Sequence, residues 1–346
     1  MIKSKKIIPT EVNIMKKIKI GQIGIGHNHG AQKCADCRRL TDLYEFVGVA
    51  FPECDAGFEK RVNNKEYEGL KFMSEEELLA TPDLDAVIIE TSVPNLVPTA
   101  QKAIDRGLHI HLDKPAGENI DEFEKLLSDA KQKHLAVQMG YMYRYNPAVL
   151  YAFEQINAGK LGEIYNIDAH MSTEHPADFR RWLSTFKGGT MYIFGCHLID
   201  LIVKIQGKPR EVVPFISQSG KGDINFSDNS CAALLYDKGT SFVRTSSVEV
   251  NGWERRQFVI NGSLGSIEIK PIEGPMRAIE SYAGETKPWS SFHTDITLEK
   301  QAHRYDNMLI DLANMIRGTG ENPYTYEHDL YVHKATLAAC GFDIKL

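Results

Sequence analysis

Five short runs of almost wholly apolar residues, at 18–25, 46–51, 86–91, 109–112 and 135–139, alternate with segments of helical character up to about residue 141. A strand with one face in water alternates apolar and polar side chains, whereas a strand covered on both faces by helices has no such need. Unbroken runs of this length joined by helices predict a parallel, doubly wound sheet. The helices carry their own punctuation. Ser74 followed by Glu77 makes a capping-box pattern. Asn95 is placed to cap a helix that stops at Gly107, and Asn119 to cap one that runs to about Lys133.

The pattern changes after Pro147. A helix near 148–158 leads through Gly159-Lys160-Leu161-Gly162 into a strand near 163–171. From Arg210 onward strands dominate, separated by the turn signals Asp237-Lys238-Gly239, Asn251-Gly252 and Asn261-Gly262. Two helices, near 305–317 and 326–340, follow. The expected fold class is α/β: an N-terminal Rossmann doubly wound parallel sheet, then a C-terminal α+β domain with a large, mostly antiparallel open sheet. The expected divisions are an N-terminal extension at 1–14, a first domain at 15–143 and a second at 144–346.

Composition limits the partners. Hydrophobic residues make up 42% and charged residues 25%, an ordinary globular balance, and the net charge of -6 argues against nucleic acid. No apolar stretch is long enough to span a membrane. The six cysteines are scattered through 346 residues, which predicts free thiols in a reducing, cytoplasmic setting.

Gly24-Ile25-Gly26 stands where the first strand turns into a helix. Glycines there permit a tight turn and let backbone N–H groups approach a diphosphate, assisted by the helix dipole. His29 replaces the third glycine of the usual fingerprint, and Gly30 follows. His27 and Asn28 are expected to line the turn. The acid that binds the adenosine ribose should follow the second strand, where Glu53 is the nearest carboxylate. No arginine follows that strand directly, so NAD is expected over NADP.

Four stretches in order resemble the glucose–fructose oxidoreductase/inositol dehydrogenase (Gfo/Idh/MocA) family, and the resemblance covers residues 15–346. They are Gly24-Ile25-Gly26, Val93-Pro94-Asn95, Asp113-Lys114-Pro115, and the run from Gly188-Gly189 through Gly195, His197 and Asp200. The resemblance implies an NAD(P)-binding Rossmann domain, with Gly24, Gly26, His27, Asn28, Glu53, Val93, Pro94, Asn95, Asp113, Lys114 and Pro115 around the cofactor. It also implies a substrate-binding and oligomerisation domain, and hence a homo-oligomer, dimer or tetramer. The implied activity is oxidation of a CH–OH group in a sugar, polyol or derivative.

That chemistry needs a group to hold the substrate oxygen and a base for its proton. Lys114 leaves the carboxyl end of a strand, where ligands bind in such sheets. His197 is the candidate base, since imidazole titrates near working pH. Asp200, one helical turn on, either orients His197 or is a polar helix residue. The main departure is Ile193: relatives of the polyol-dehydrogenase type have aspartate four residues before the histidine. Val97 also departs from a histidine common near that position.

Arg144 and Tyr145 are expected to contact substrate or to pack at the domain junction, and Arg181 and Trp182 to offer hydroxyl-binding groups. Cys34-Ala35-Asp36-Cys37 has no second pair to complete a zinc site. His27, His29, His109 and His111 lie near strand ends, but nothing in the sequence completes a ligand set, so no metal is expected. Two other functions fit the residues: a glycoside hydrolase or lyase that recycles tightly bound NAD, and a non-catalytic NAD-binding regulator.

Overall fold

The computed structural model describes residues 16–283, 291–298 and 301–346, so the expected extension at 1–14 lies outside the described residues. Strands β1 (Ile18–Ile23), β2 (Tyr44–Ala50), β3 (Phe72–Met73), β4 (Ala86–Ile89), β5 (His109–Leu112) and β6 (Val137–Met139) form one all-parallel sheet in the order β3-β2-β1-β4-β5-β6. The order reverses between β1 and β4, the switch point at whose carboxyl ends sheets of this kind bind ligands. Helices α1 (Gly30–Arg39), α2 (Glu75–Leu79), α3 (Leu96–Asp105) and α4 (Ile120–Gln132) join the strands. Every residue of β4 is buried, as its unbroken Ala-Val-Ile-Ile run requires.

Ser74 forms the full capping box with Glu77, and Asn119 Oδ1 accepts from Asp121 N. Asn95 behaves differently. Its side chain caps nothing and instead donates to Ser92 Oγ at 2.8 Å, because a 3-10 turn (Val93–Asn95) already leads into α3.

Helix α5 (Pro147–Asn157), capped by Asn146, leads to β7 (Ile164–Ser172), the middle of a second sheet. With β8 (Glu211–Phe215), β9 (Asn229–Leu235), β10 (Thr240–Ser246), β11 (Gln257–Gly262), β12 (Gly265–Ile269), β13 (Ala278–Ala283) and β14 (Ser291–Ile296), it runs β14-β13-β12-β11-β7-β10-β9-β8. All pairings are antiparallel except β7 with β10. Gly239 makes the β9–β10 turn at φ +85°, where a Cβ would strike the Tyr165 carbonyl. Asn251-Gly252 does not make a hairpin, since β10 and β11 flank β7 on opposite sides. Asn261-Gly262 ends β11, and Ser263-Leu264 forms the actual turn.

One face of this sheet buries Ile167, Ala169 and Val243 beneath α7 (Cys196–Gln206), while Asn166, Asp168, Phe242 and Arg244 point the other way. Helix α6 (Ala177–Leu183) precedes α7. Helices α8 (Asp306–Arg317) and α9 (Tyr326–Ala339) complete the order, and α8 returns to the first sheet, where Tyr44 donates its hydroxyl to the Leu309 carbonyl. Among the described residues no helix is long and apolar enough to cross a membrane. All six cysteines are unpaired, and burial pushes the Cys34 thiol up to about 12, far from a reactive thiolate.

Candidate active site

The glycine turn sits at the switch point. Gly24 has φ +94°, and a Cβ on it would lie 2.4 Å from Thr91 N. A Cβ on Gly26 would lie 2.4 Å from both Ser92 N and a carboxylate oxygen of Asp55. Both positions therefore demand glycine for close approach. The N–H groups of Ile25 and Gly26 donate to Asp55 Oδ2 at 2.7 and 2.8 Å, and Ser92 N donates to Asp55 Oδ1 at 2.8 Å. The turn is thus an anion-binding concavity, and the anion it holds is the buried carboxylate of Asp55.

The acids after β2 lie in two different settings. Glu53 is exposed, while Asp55, two residues later at the end of a 3-10 turn (Glu53–Asp55), folds back onto the glycines. An arginine also reaches the turn. Arg61 donates to the carbonyls of Ile25 and Gly26 at 3.0 and 2.7 Å and to Asn28 Oδ1 at 2.8 Å.

The neighbouring strand ends supply the reactive groups. Asp113 and Lys114 follow β5, and the Lys114–Pro115 peptide is cis. Lys114 is buried, and its Nζ donates to the main-chain carbonyl of Ile193 at 3.0 Å. Ile193 lies in a π-helical turn (Met191–Gly195) that opens directly into α7. His197 stands in the first turn of α7. Its ring is buried, edge-on to Tyr143 and Tyr141 at centroid distances of 4.9 and 5.8 Å. Its Nδ1 is buried without a hydrogen-bond partner. Burial, then the positive charge of Lys114, holds His197 well below the ordinary histidine range, so the imidazole is neutral.

Several expected ligand contacts are instead spent inside the protein. Arg144 donates to both oxygens of Asp200, at 2.9 and 2.6 Å, and to Asp329 Oδ1 at 2.5 Å. His328 Nε2 lies 3.0 Å from Asp200 Oδ1. Asp200 therefore does not orient His197, and Arg144 is not free for substrate. Tyr145 is buried, with its hydroxyl 3.4 Å from Gln138 Nε2. Arg181 is exposed and pairs with Asp178, while Trp182 packs between Phe179 and Phe186. Val93 is buried and Pro94 exposed, so the Val93–Asn95 turn offers backbone and Asn95 at the switch point.

Two groups escaped sequence reasoning. Lys33 of α1 is fully buried, with Nζ 2.7 Å from Glu90 Oε1 and 2.5 Å from Asp113 Oδ2. His27 and His29 close on the same Asp113 oxygen at 3.2 and 3.0 Å. Tyr143, beside His197, donates its hydroxyl to Glu273, which also binds Arg256 at 2.8 Å and Arg304 at 3.1 Å. A charged residue at an inward helix position such as Lys33 was the available signal.

Comparisons with known proteins agree with this architecture. The family described as "Oxidoreductase family, NAD-binding Rossmann fold" matches residues 18–141, and "GFO/IDH/MocA C-terminal domain" matches residues 149–268. An uncharacterised oxidoreductase of Escherichia coli, YhhX, is 28% identical over 58% of this chain and 57% of its own length. The chain thus spans a little over half of that relative. The scyllo-inositol 2-dehydrogenase (NAD(+)) of Bacillus subtilis is 27% identical over 77% of both chains. The structure of UDP-N-acetylglucosamine 3-dehydrogenase from Acidithiobacillus ferrooxidans superposes with a TM-score of 0.76 at 19% identity, covering 94% of this chain and 97% of the other. The chain belongs to the GFO/IDH/MocA family of oxidoreductases, whose N-terminal part is an NAD-binding Rossmann fold.

Proposed function

We propose that this protein is an NAD-dependent dehydrogenase acting on a CH–OH group of a small polyol or sugar-like molecule. The observation that carries the reading is the convergence of Lys114 and His197: the ammonium of one bonds the turn that precedes the other, and both are buried. The B. subtilis relative, named for a cyclic polyol and NAD(+), supports the substrate class.

The dinucleotide supplies the hydride acceptor when bound. Ile25 and Gly26 would offer their N–H groups to its diphosphate, which would require Asp55 to share or release them. Lys114 exchanges the Ile193 carbonyl for the substrate oxygen and stabilises negative charge as the hydroxyl loses its proton. His197 accepts that proton; it is neutral, with a ring nitrogen unbonded. Tyr143 and Tyr141 fix the plane of its ring.

The test is to identify the nucleotide released from purified protein, then follow nicotinamide absorbance with a panel of polyols, sugars and aryl glycosides. Net reduction on polyols or sugars is expected. Glycoside cleavage with no net reduction would replace this reading with redox-assisted elimination.

A further inference from the structure

Beneath the glycine turn, two histidines and two carboxylates from three separate segments lie close together. His27 and His29 come from the turn into α1, Glu90 from the end of β4 and Asp113 from the end of β5. A ring nitrogen of His27, a ring nitrogen of His29 and an oxygen of Asp113 all lie within 4.8 Å of one another. Nδ1 of His27 is 3.2 Å from Asp113 Oδ2 and 3.5 Å from Glu90 Oε2, and Nδ1 of His29 is 3.0 Å from Asp113 Oδ2. Ligands at roughly 2.0–2.1 Å from a tetrahedral zinc ion stand about 3.4 Å apart. The three separations from His27 and His29 to the carboxylates, 3.0–3.5 Å, lie near that edge.

The bonding is unbalanced without an ion. His27, His29 and Lys33 crowd a single oxygen, Asp113 Oδ2, while Glu90 Oε2 beside them is buried with no hydrogen-bond partner. An acceptor so placed is costly unless something positive faces it. Lys33 also holds Glu90 Oε1 and so bridges and orients both carboxylates.

We propose that His27, His29 and Asp113, with Glu90 beside them, bind one divalent first-row transition-metal ion, zinc by donor type. The ion would tie the glycine turn to the strand end that carries Lys114. The inference does not depend on the dehydrogenase reading, because it is read from metal content and spectra. His109 and His111, weighed with His27 and His29 on sequence, stand apart from these four groups. His109 Nδ1 accepts from Ala136 N at 2.8 Å and His111 Nδ1 lies 2.9 Å from Gln138 Oε1.

The test uses full-length protein without a histidine tag, dialysed against metal-free buffer and analysed by elemental mass spectrometry. About one zinc per chain should be retained. Cobalt loaded after chelation should give the visible bands of a tetrahedral nitrogen–oxygen site, and added zinc should abolish them. His29→Ala and Glu90→Gln should each weaken zinc binding by roughly tenfold or more, and Lys33→Met by roughly tenfold, as expected for a group that orients ligands. His109→Ala should bind like the wild type. Failure of the wild-type protein to retain zinc or to give cobalt bands would overturn the proposal even if every variant misfolds. Undiminished zinc binding by a His27→Ala/His29→Ala double variant would overturn it as well.

Discussion

Lys114 Nζ is hydrogen-bonded to the main-chain carbonyl of Ile193, at 3.0 Å. Residue 193 is where the resemblance leads one to expect an aspartate partner for this lysine and for His197. The backbone of the π-helical turn supplies an oxygen there, but no charge. The lysine keeps an acceptor, while Asp113 only partly offsets burial and Lys114 at His197.

One consequence is a shifted pH profile. Burial and Lys114 lower the His197 pKa. Oxidation needs the neutral imidazole, so activity is retained as pH falls and is lost only when pH drops through this depressed value. The acid limb of kcat/KM should therefore lie below about 6.5, the ordinary histidine value. Ile193→Asp places a carboxylate beside Lys114 and His197, which raises the His197 pKa and moves the limb upward. A limb that stays fixed in this variant would show that His197 is not the titrating base.

Asp55 should set cofactor preference. Its carboxylate binds the N–H groups of Ile25, Gly26 and Ser92. Asp55→Asn removes the charge that opposes a 2′-phosphate. The ratio of kcat/KM for NADP over NAD should rise by about tenfold, equivalent to about 1.4 kcal/mol. Steady-state kinetics with both cofactors checks this, and an unchanged ratio would mean that Asp55 does not face the adenosine ribose.

Arg144 should matter for stability, not for substrate affinity. Arg144→Ala leaves Asp200 and Asp329 buried without their cation. Breaking such a buried pair costs about 3–5 kcal/mol. Urea unfolding should show a loss of this size. A rise in KM with unchanged stability would return Arg144 to the substrate site.

The parallel sheet and glycine turn were legible because both leave local marks. Buried strands appear as unbroken apolar runs, and a backbone that touches Thr91 at Gly24 requires glycine. Lys114 and His197 stood out through their motifs. Asp55 did not, because the 3-10 turn that folds it back depends on tertiary contacts with Ser92. The Arg144–Asp200 pair spans 56 residues, and no local spacing announces it. Asn95 is a cap by residue type, yet the turn before α3 draws its side chain to Ser92. Glu90 lay inside a run read as strand, where its opposition to Lys33 and His27 was invisible.

The most direct measurement is the initial rate of NADH formation by wild-type protein and Lys114→Met on the same polyol, with NAD affinity determined separately. The predicted result is retained NAD binding with kcat reduced by roughly 10²–10³-fold, as expected when a donor to a developing oxyanion is removed. Equal turnover by the two proteins would contradict the role assigned to Lys114 and, with it, the proposed mechanism.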